Sequence, residues 1–341
     1  MIALPLRIAI AVLVFCAGIV AVALAADHGR EGAPARGGAT EAWGSLAPSP
    51  LRRTEVGAAR VGRHIYVAAG FVPEGGATRR MVRYDIERDR WQPLRSMPIA
   101  VHHPGMAALK GKIYVHGGLR TGGATKRATS RLYRYNPATN RWRRLHDGRR
   151  RRLAHAFEPI AGKLYAAGGT NDSGDLRSVE VYSPGRDRWR RLRAMPTARN
   201  HVGAAALDGR LYVLGGRVDG DNLDLAERFD PSAGRRGRWS AVAPLQTERS
   251  GFVAVAVGGT IVAFGGEELG GGSTIAPVER YDPERDSWSR LPSMTTPRHG
   301  LGGAARAGRV YALEGGPQPG LAFSSANEYL DLPCAQAGGR L

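Results

Sequence analysis

Residues 112–118, KIYVHGG, and residues 135–142, YNPATNRW, decide the fold, because variants of both return along most of the 341-residue chain. The first stretch is a short apolar run that ends in two glycines, and the second places a tyrosine seven residues ahead of a tryptophan. All six tryptophans stand on one ladder with steps of 48, 51, 47, 50 and 49 residues: Trp43, Trp91, Trp142, Trp189, Trp239 and Trp288. The chain is therefore an array of units of about 50 residues.

The other features of the unit recur in step with the tryptophans. A glycine pair ends the apolar run in four units, and Ala69-Gly70 and Glu314-Gly315 replace it in the first and last. Glycine residues allow positive φ and a close approach of neighbouring backbone. Short β-type runs between glycine and Asn-Pro or Asp-Pro turns predict four strands per unit. In one unit these are Gly105–Leu109, Lys112–His116, Arg131–Tyr135 and Arg141–Leu145.

A period of about 50 residues with four strands, a glycine pair and a spaced Tyr and Trp resembles the kelch repeat, one blade of a β-propeller. The resemblance covers residues 41–332 and recurs six times. It implies an all-β, six-bladed kelch-type propeller with four-stranded antiparallel blades. The last unit has Tyr329 but no tryptophan, whereas Trp43 precedes the first complete unit. We therefore predict that the N-terminal strand around Trp43 completes the sixth blade and closes the ring.

The segments outside the array differ in composition. Residues 1–25 hold one charge, Arg7, and an apolar run over 8–25 that ends in Ala-Leu-Ala, which predicts a cleaved secretory signal peptide. The run is also long enough to span a bilayer, so an uncleaved membrane anchor is the alternative. Either way the protein is predicted to be periplasmic or secreted. Residues 26–40 are predicted to be a flexible linker and residues 333–341 a C-terminal tail.

Composition excludes several classes of function. Lys+Arg number 49 against 30 Asp+Glu, a formal charge of +19, but an extracytoplasmic chain argues against nucleic acid as the partner. The two cysteines, Cys16 and Cys334, allow neither a disulfide framework nor a Cys-rich zinc module in the mature chain. The sequence contains no phosphate loop, Ser-His-Asp pattern or metal-ligand motif. We therefore predict no metal and no cofactor. We also expect the protein to be a monomer.

Basic residues gather where the chain enters the innermost strand of each unit, and five of the six units carry an arginine there. In a propeller the strand 4–1 and strand 2–3 connections emerge on the same face. One interpretation is a cationic funnel for carboxylate, phosphate or sulfate, and the other is that the repeated arginines are scaffold residues that bond neighbouring carbonyls. On the first interpretation the ligand-binding residues are Arg53, Arg152, Arg199, Arg249, Arg298, His102, His201 and His299.

Three ionisable residues depart from the pattern of their columns. Glu158 stands on an innermost strand where the other units have Ala or Val, and His116 stands where the others have Ala, Leu or Phe. Glu314 replaces the first residue of the glycine pair. Such residues are candidate catalytic groups, and the alternative is a hydrated side chain in the channel without a task.

Two classes of function remain. The first is an extracytoplasmic binding or scaffold module that recognises a protein or an anionic glycan through its loops. The second is a sugar mutarotase or epimerase, since the chain weakly resembles the periplasmic sialic-acid mutarotases among kelch propellers. Glu158 or Glu314 would then act with Arg152, Arg199 and Arg298.

A further group of kelch propellers, the copper oxidases that resemble galactose oxidase, is excluded. Their site requires a cysteine cross-linked to a tyrosine within the fold, and Cys334 lies beyond the last predicted strand. The long inter-strand insertions of the mutarotases are also absent from this chain. The binding module is therefore the preferred prediction.

Overall fold

The computed structural model describes residues 42–121, 127–270 and 272–332. These residues contain thirty β-strands, joined by turns and loops. Within these residues no helix is long and apolar enough to cross a membrane. The predicted signal peptide or anchor (1–25), the linker (26–40) and the tail with Cys334 (333–341) lie outside the described residues.

Six four-stranded antiparallel sheets, the blades, follow one another along the chain. From inner to outer, the strands of blades 1 to 3 are Gly57–Val61, His64–Ala68, Met81–Asp85 and Arg90–Leu94; Gly105–Leu109, Lys112–His116, Leu132–Asn136 and Arg141–Leu145; Ala156–Ile160, Lys163–Ala167, Val179–Ser183 and Arg188–Arg191. Those of blades 4 and 5 are Gly203–Leu207, Arg210–Leu214, Ala226–Asp230 and Arg238–Ala241; Val253–Val257, Thr260–Phe264, Val278–Asp282 and Ser287–Leu291. The strands of blade 2 match the predicted ones, apart from a third strand that begins and ends one residue later.

Blade 6 draws its strands from both ends of the array. Its inner three are Gly302–Arg306, Arg309–Leu313 and Asn327–Asp331, and its outer strand is Gly44–Leu46, with Gly44 opposite Tyr329. The inner strands of neighbouring blades contact each other all the way round, blade 6 against blade 1 included. The prediction of a six-bladed propeller closed by the N-terminal strand is confirmed.

Each tryptophan joins its blade to the preceding one. In all six blades the indole N–H donates to the main-chain carbonyl four residues beyond the preceding tryptophan, at 2.8–3.0 Å. The bond from Trp43 to Pro292 completes this circle. Trp43, Trp189 and Trp288 are buried, whereas Trp91, Trp142 and Trp239 are partly exposed. The tryptophan ladder is therefore a set of joints between blades.

A second set of hydrogen bonds joins neighbouring blades, and the tryptophan and glycine patterns did not predict it. Four blades have an Asp or Asn two residues ahead of the tryptophan, with φ between +47° and +51°. Its side-chain oxygen accepts from the tyrosine hydroxyl of its own blade and from a main-chain N–H of the preceding blade. Asp and Asn tolerate this left-handed conformation, which accounts for the residue type. The four are Asp89, Asn140, Asp187 and Asp286.

The strand 4–1 and strand 2–3 connections meet on one face, as predicted, and together form the loop face. In every blade a residue just before the innermost strand pairs with one just after the second strand, for example His102 with Leu119 and Leu153 with Thr170. The strand 2–3 connections of blades 2, 3 and 4 extend as two-stranded ribbons: Leu119–Arg120 with Arg127–Ala128, Thr170–Asn171 with Gly174–Asp175, and Arg217–Val218 with Asp221–Asn222.

Candidate functional site

The five repeated arginines lie inside the protein, each with 0% of its surface exposed. In blades 3 to 6 each faces a glutamate at the second position of its own third strand, at 2.5–3.9 Å. The arginines also donate to main-chain carbonyls; Nη1 of Arg249, for instance, is 3.0 Å from the oxygen of Gly265. These contacts support the scaffold interpretation. The expected exposed funnel is corrected, because burial withholds the guanidinium groups from the loop face: Arg53, Arg152, Arg199, Arg249 and Arg298.

Blades 1 and 2 explain why Glu314 departs from its column. Blade 2 has neither partner, since Val101 and Tyr133 occupy the two positions. Blade 1 keeps Arg53 but has Val82 in place of the glutamate. Arg53 pairs instead with Glu314 of blade 6 through two bonds of 2.8 Å, and both side chains are fully buried. Glu314 is therefore corrected from a candidate catalytic group to the ion-pair partner that joins blade 6 to blade 1.

His116 is also a packing residue. It is fully buried, its Nδ1 lies 3.0 Å from Nε2 of His155, and its ring packs against Phe157 and Trp189. Burial, together with the positive charge of Arg152, lowers the pKa of His116 well below its usual value. The ring is therefore neutral and inaccessible to solvent. The prediction of His116 as a candidate catalytic group is corrected accordingly.

Glu158 does face the central channel. The residues at the start of the innermost strands line a cavity of about 170 Å³. Glu158 lines it together with small and apolar residues such as Ala204 and Phe252. Burial raises the pKa of Glu158 to about 8. Among the described residues no arginine lines this cavity. The predicted mutarotase set of one or two glutamates with three arginines is therefore not gathered in one place.

One residue from each blade forms a ring at the channel mouth, two positions after the arginine column. All six have φ between +50° and +65°. Each of five donates its backbone N–H to the carbonyl of the ring residue before it, and Val56 N–H donates to Gly300 to close the circle, at 2.8–3.2 Å. The members of this mouth ring are Glu55, His103, Ala154, His201, Gly251 and Gly300.

Three side chains of the mouth ring, those of Glu55, His103 and His201, form a polar cluster with His299 and Glu267. Glu55 Oε2 lies 2.9 Å from His103 Nε2, and Glu55 Oε1 lies 3.2 Å from His299 Nδ1. The same Nδ1 of His299 is 3.3 Å from Glu267 Oε2. The rings of His103 and His201 meet edge to face with centroids 4.7 Å apart. Two carboxylates and three imidazoles thus converge from five blades.

The cluster shifts the pKa values of its own members. Burial would raise the pKa of Glu55, but His103 and His299 outweigh it and hold that pKa well below its usual range. Burial would lower the pKa of His299, but Glu55 and Glu267 raise it on balance. Burial and neighbouring positive charges lower the pKa of His201 well below its usual value. The cluster therefore holds an ionised Glu55 beside a neutral His201.

The three histidines predicted to bind a ligand lie in different environments. His102 is buried, stacks on Phe71 with ring centroids 3.8 Å apart and contacts His103 through Nδ1. His299 is buried in its ion pairs, and His201 alone lies in the mouth ring. Glu55 and His103 were not assigned to the site from the sequence. The sequence signal for them is a column that varies from blade to blade, two positions after a nearly constant arginine column.

The loop face also carries an exposed apolar pair. Leu269 and Leu321, with 41% and 72% of their surface exposed, are the exposed large hydrophobic residues in the described part of the chain. They lie on the strand 2–3 connections of blades 5 and 6, which contact each other through Gly320 N–H and Glu267 Oε2 at 2.9 Å. The exposed acidic residues Glu268, Asp219, Asp221 and Asp224 occupy the same connections of blades 4 and 5.

Comparisons with known proteins agree with this architecture. A sequence model described as the KLHDC2/KLHL20/DRC7 Kelch-repeats domain matches residues 40–216, and the Kelch motif matches residues 198–246 and 248–295. Kelch-like protein 36 of Rattus norvegicus is 29% identical over 253 residues, which cover 72% of this chain and 41% of that protein. Kelch-like protein terF of Aspergillus terreus is 38% identical over 95 residues, which cover 26% of this chain and 21% of that one. The chain thus spans less than half the length of these curated relatives.

A solved structure shows the same fold. The structure of YjhT matches with a TM-score of 0.73 at 15% sequence identity, and the match covers 83% of this chain and 95% of that one.

Proposed function

This chain belongs to the kelch-repeat family, and from that membership and its surface we propose that it is an extracytoplasmic binding module that docks a protein partner on its loop face. The observation that carries the proposal is the exposed apolar pair, Leu269 and Leu321. Exposed apolar groups rimmed by polar residues are typical of protein interaction sites. Both leucines project from connections of adjacent blades on one face, so a single partner reaches both.

The surroundings of the pair indicate the charge of the partner. Glu268 precedes Leu269 directly, and the exposed residues Asp219, Asp221 and Asp224 lie on the neighbouring blade. This sector is acidic although the whole chain carries a formal charge of +19. Complementary charge steers association and selects partners. We expect a partner with an apolar contact surface and a basic rim.

An anionic glycan has less support than a protein. The five arginines that suggested it are buried in ion pairs. The exposed run Arg149–Arg151 stays available for an anionic ligand, but a run of like charges is more often simply solvated.

The mutarotase alternative lacks its cationic groups. Of its candidates, Glu158 lines the channel, whereas Glu314 and the arginines are buried elsewhere. An extracytoplasmic location is supported by the sequence of residues 1–25, which predicts export.

The test uses the exported chain as bait. Leu269→Asp/Leu321→Asp is compared with Ala138→Asp/Ala161→Asp, which places the same two charges on exposed positions of the opposite face. A partner purified from the extracytoplasmic fraction is titrated against each protein by calorimetry. We expect the leucine variant to bind at least about tenfold more weakly, since a buried apolar anchor contributes more than about 1 kcal/mol.

The control variant should bind like the wild type. Equal affinity of both double variants for the partner would contradict docking at the apolar pair. Recovery of the full chain in the cytoplasm alone would contradict the proposed compartment.

A further inference from the structure

We propose that the channel mouth is a binding site for a divalent transition-metal ion, with Glu55, His103 and His201 as its ligands. One carboxylate oxygen and one imidazole nitrogen from each histidine lie within 4.8 Å of one another. Two histidines and a carboxylate are a donor set that suits zinc and other late first-row ions, whereas calcium and magnesium prefer oxygen donors alone. This proposal is independent of the protein partner.

The backbone holds these ligands in place before any ion binds. All three belong to the mouth ring, in which hydrogen bonds of 2.8–3.2 Å link the six blades into a closed circle. Their φ values, +55°, +55° and +51°, are unusual for residues other than glycine. Ligands fixed on a rigid frame lose little freedom when a metal binds, which favours affinity.

The second nitrogen of each histidine already has a partner. His103 Nδ1 contacts His102, and His201 Nδ1 contacts the side-chain oxygen of Asn200. Such outer contacts orient metal-binding imidazoles and fix their tautomers. Both histidines would therefore present Nε2 to the ion.

Two present contacts would give way to the ion. His103 Nε2 now faces Glu55 Oε2 at 2.9 Å, and the ion would take the place of the hydrogen between them. The neutral imidazole would then carry its N–H on Nδ1, which faces Nδ1 of His102 as the acceptor. Nε2 of His201 now accepts from Nη2 of Arg217 at 2.9 Å. Arg217 also bonds Glu267 at 3.1 Å, so its charge stays paired when His201 turns to the metal. Three protein ligands leave further coordination positions open toward the channel of about 170 Å³.

The experiment uses tag-free full-length protein after chelator treatment. Zinc chloride is titrated by calorimetry, and cobalt(II) is added in parallel to follow its visible absorption. We expect one ion per chain in the wild type. His103→Ala, His201→Ala and Glu55→Gln should each bind at least about 100-fold more weakly, because loss of an outer-shell contact alone costs about 10–100-fold.

The matched control is His64→Ala. His64 also faces a carboxylate, with Nε2 3.4 Å from Asp85 Oδ2, but belongs to neither of the candidate metal-ligand groups found among the described residues. It should bind zinc like the wild type. Near-ultraviolet circular dichroism verifies that each variant folds. If a histidine variant does not fold, Glu55→Gln still tests the site. No zinc binding by the wild type, or equal binding by all folded variants, would overturn the proposal.

Discussion

Two columns of residues lie two positions apart in every blade and have opposite environments. The first holds arginine in five of six blades, and every one of these arginines is buried against a glutamate. The second, the mouth ring, holds Glu, His, Ala, His, Gly and Gly and faces the channel. The repeated column fastens the entry of each inner strand to the third strand of the same blade, except that Arg53 joins blade 1 to Glu314 of blade 6. The variable column forms the polar cluster, which occurs once in the molecule. In a repeat protein, a residue that each unit needs for packing recurs, whereas a site formed once needs its groups only once.

The largest expected effect comes from breaking a repeated pair. Arg249→Val removes the buried cation that pairs with Glu279 and leaves the half-exposed Arg290, at 3.2 Å, as its remaining cationic partner. The free energy of unfolding should therefore fall by about 3–4 kcal/mol in guanidinium denaturation. Blade 2 shows an apolar solution in Val101 and Tyr133. The double variant Arg249→Val/Glu279→Tyr should regain at least half of the loss. A single variant as stable as the wild type would show that the arginine column is not scaffold.

The tryptophan ladder offers a comparison between two blades. Trp189→Ala should cost about 3 kcal/mol, since its ring is buried and packs against His116 and Tyr182. Trp142→Ala should cost about 1 kcal/mol less, because Trp142 is partly exposed. Chemical denaturation of both variants measures the difference. Equal losses would mean that burial does not set the contribution of this joint.

Glu158 gives a pH-dependent prediction. Its folded pKa of about 8 lies above the ordinary value, so the folded state holds the proton more tightly and stability is lost as pH rises from the unfolded pKa through about 8. Glu158→Gln should therefore raise stability at pH 9 by on the order of 2 kcal/mol. At pH 4 the two proteins should differ little. Thermal unfolding at both pH values tests this, and an equal gain at both would point to packing instead of ionisation.

The smallest effect is expected at an arginine outside the column. The side chain of Arg149 is exposed, so Arg149→Ala should change the free energy of unfolding by less than about 0.5 kcal/mol. Denaturation beside Arg249→Val compares an exposed with a buried arginine in one fold. A loss as large as that of Arg249→Val would erase the distinction between the two.

The sequence identified the right blades but left the environment of the arginines open between an exposed funnel and a scaffold. The Tyr-to-Trp spacing and the glycine pair are local patterns, and they predicted the strands of blade 2 to within one residue. The place of Arg298 in its column was equally visible, yet its burial depends on Glu328 of the third strand. Pattern alone does not tell an arginine that faces solvent from one that faces a glutamate.

The sequence by itself determined the repeat, the number of blades and the closure by the strand after Trp43, because strand and turn propensities act over a few residues and were repeated six times. Only the tertiary structure decided which ionisable groups meet. Glu314 finds Arg53 across 261 positions of the chain, and Glu55, His103 and His201 come from three blades. Such encounters depend on how the ring closes and which side chains then share a low-dielectric or open space, and no local spacing encodes that.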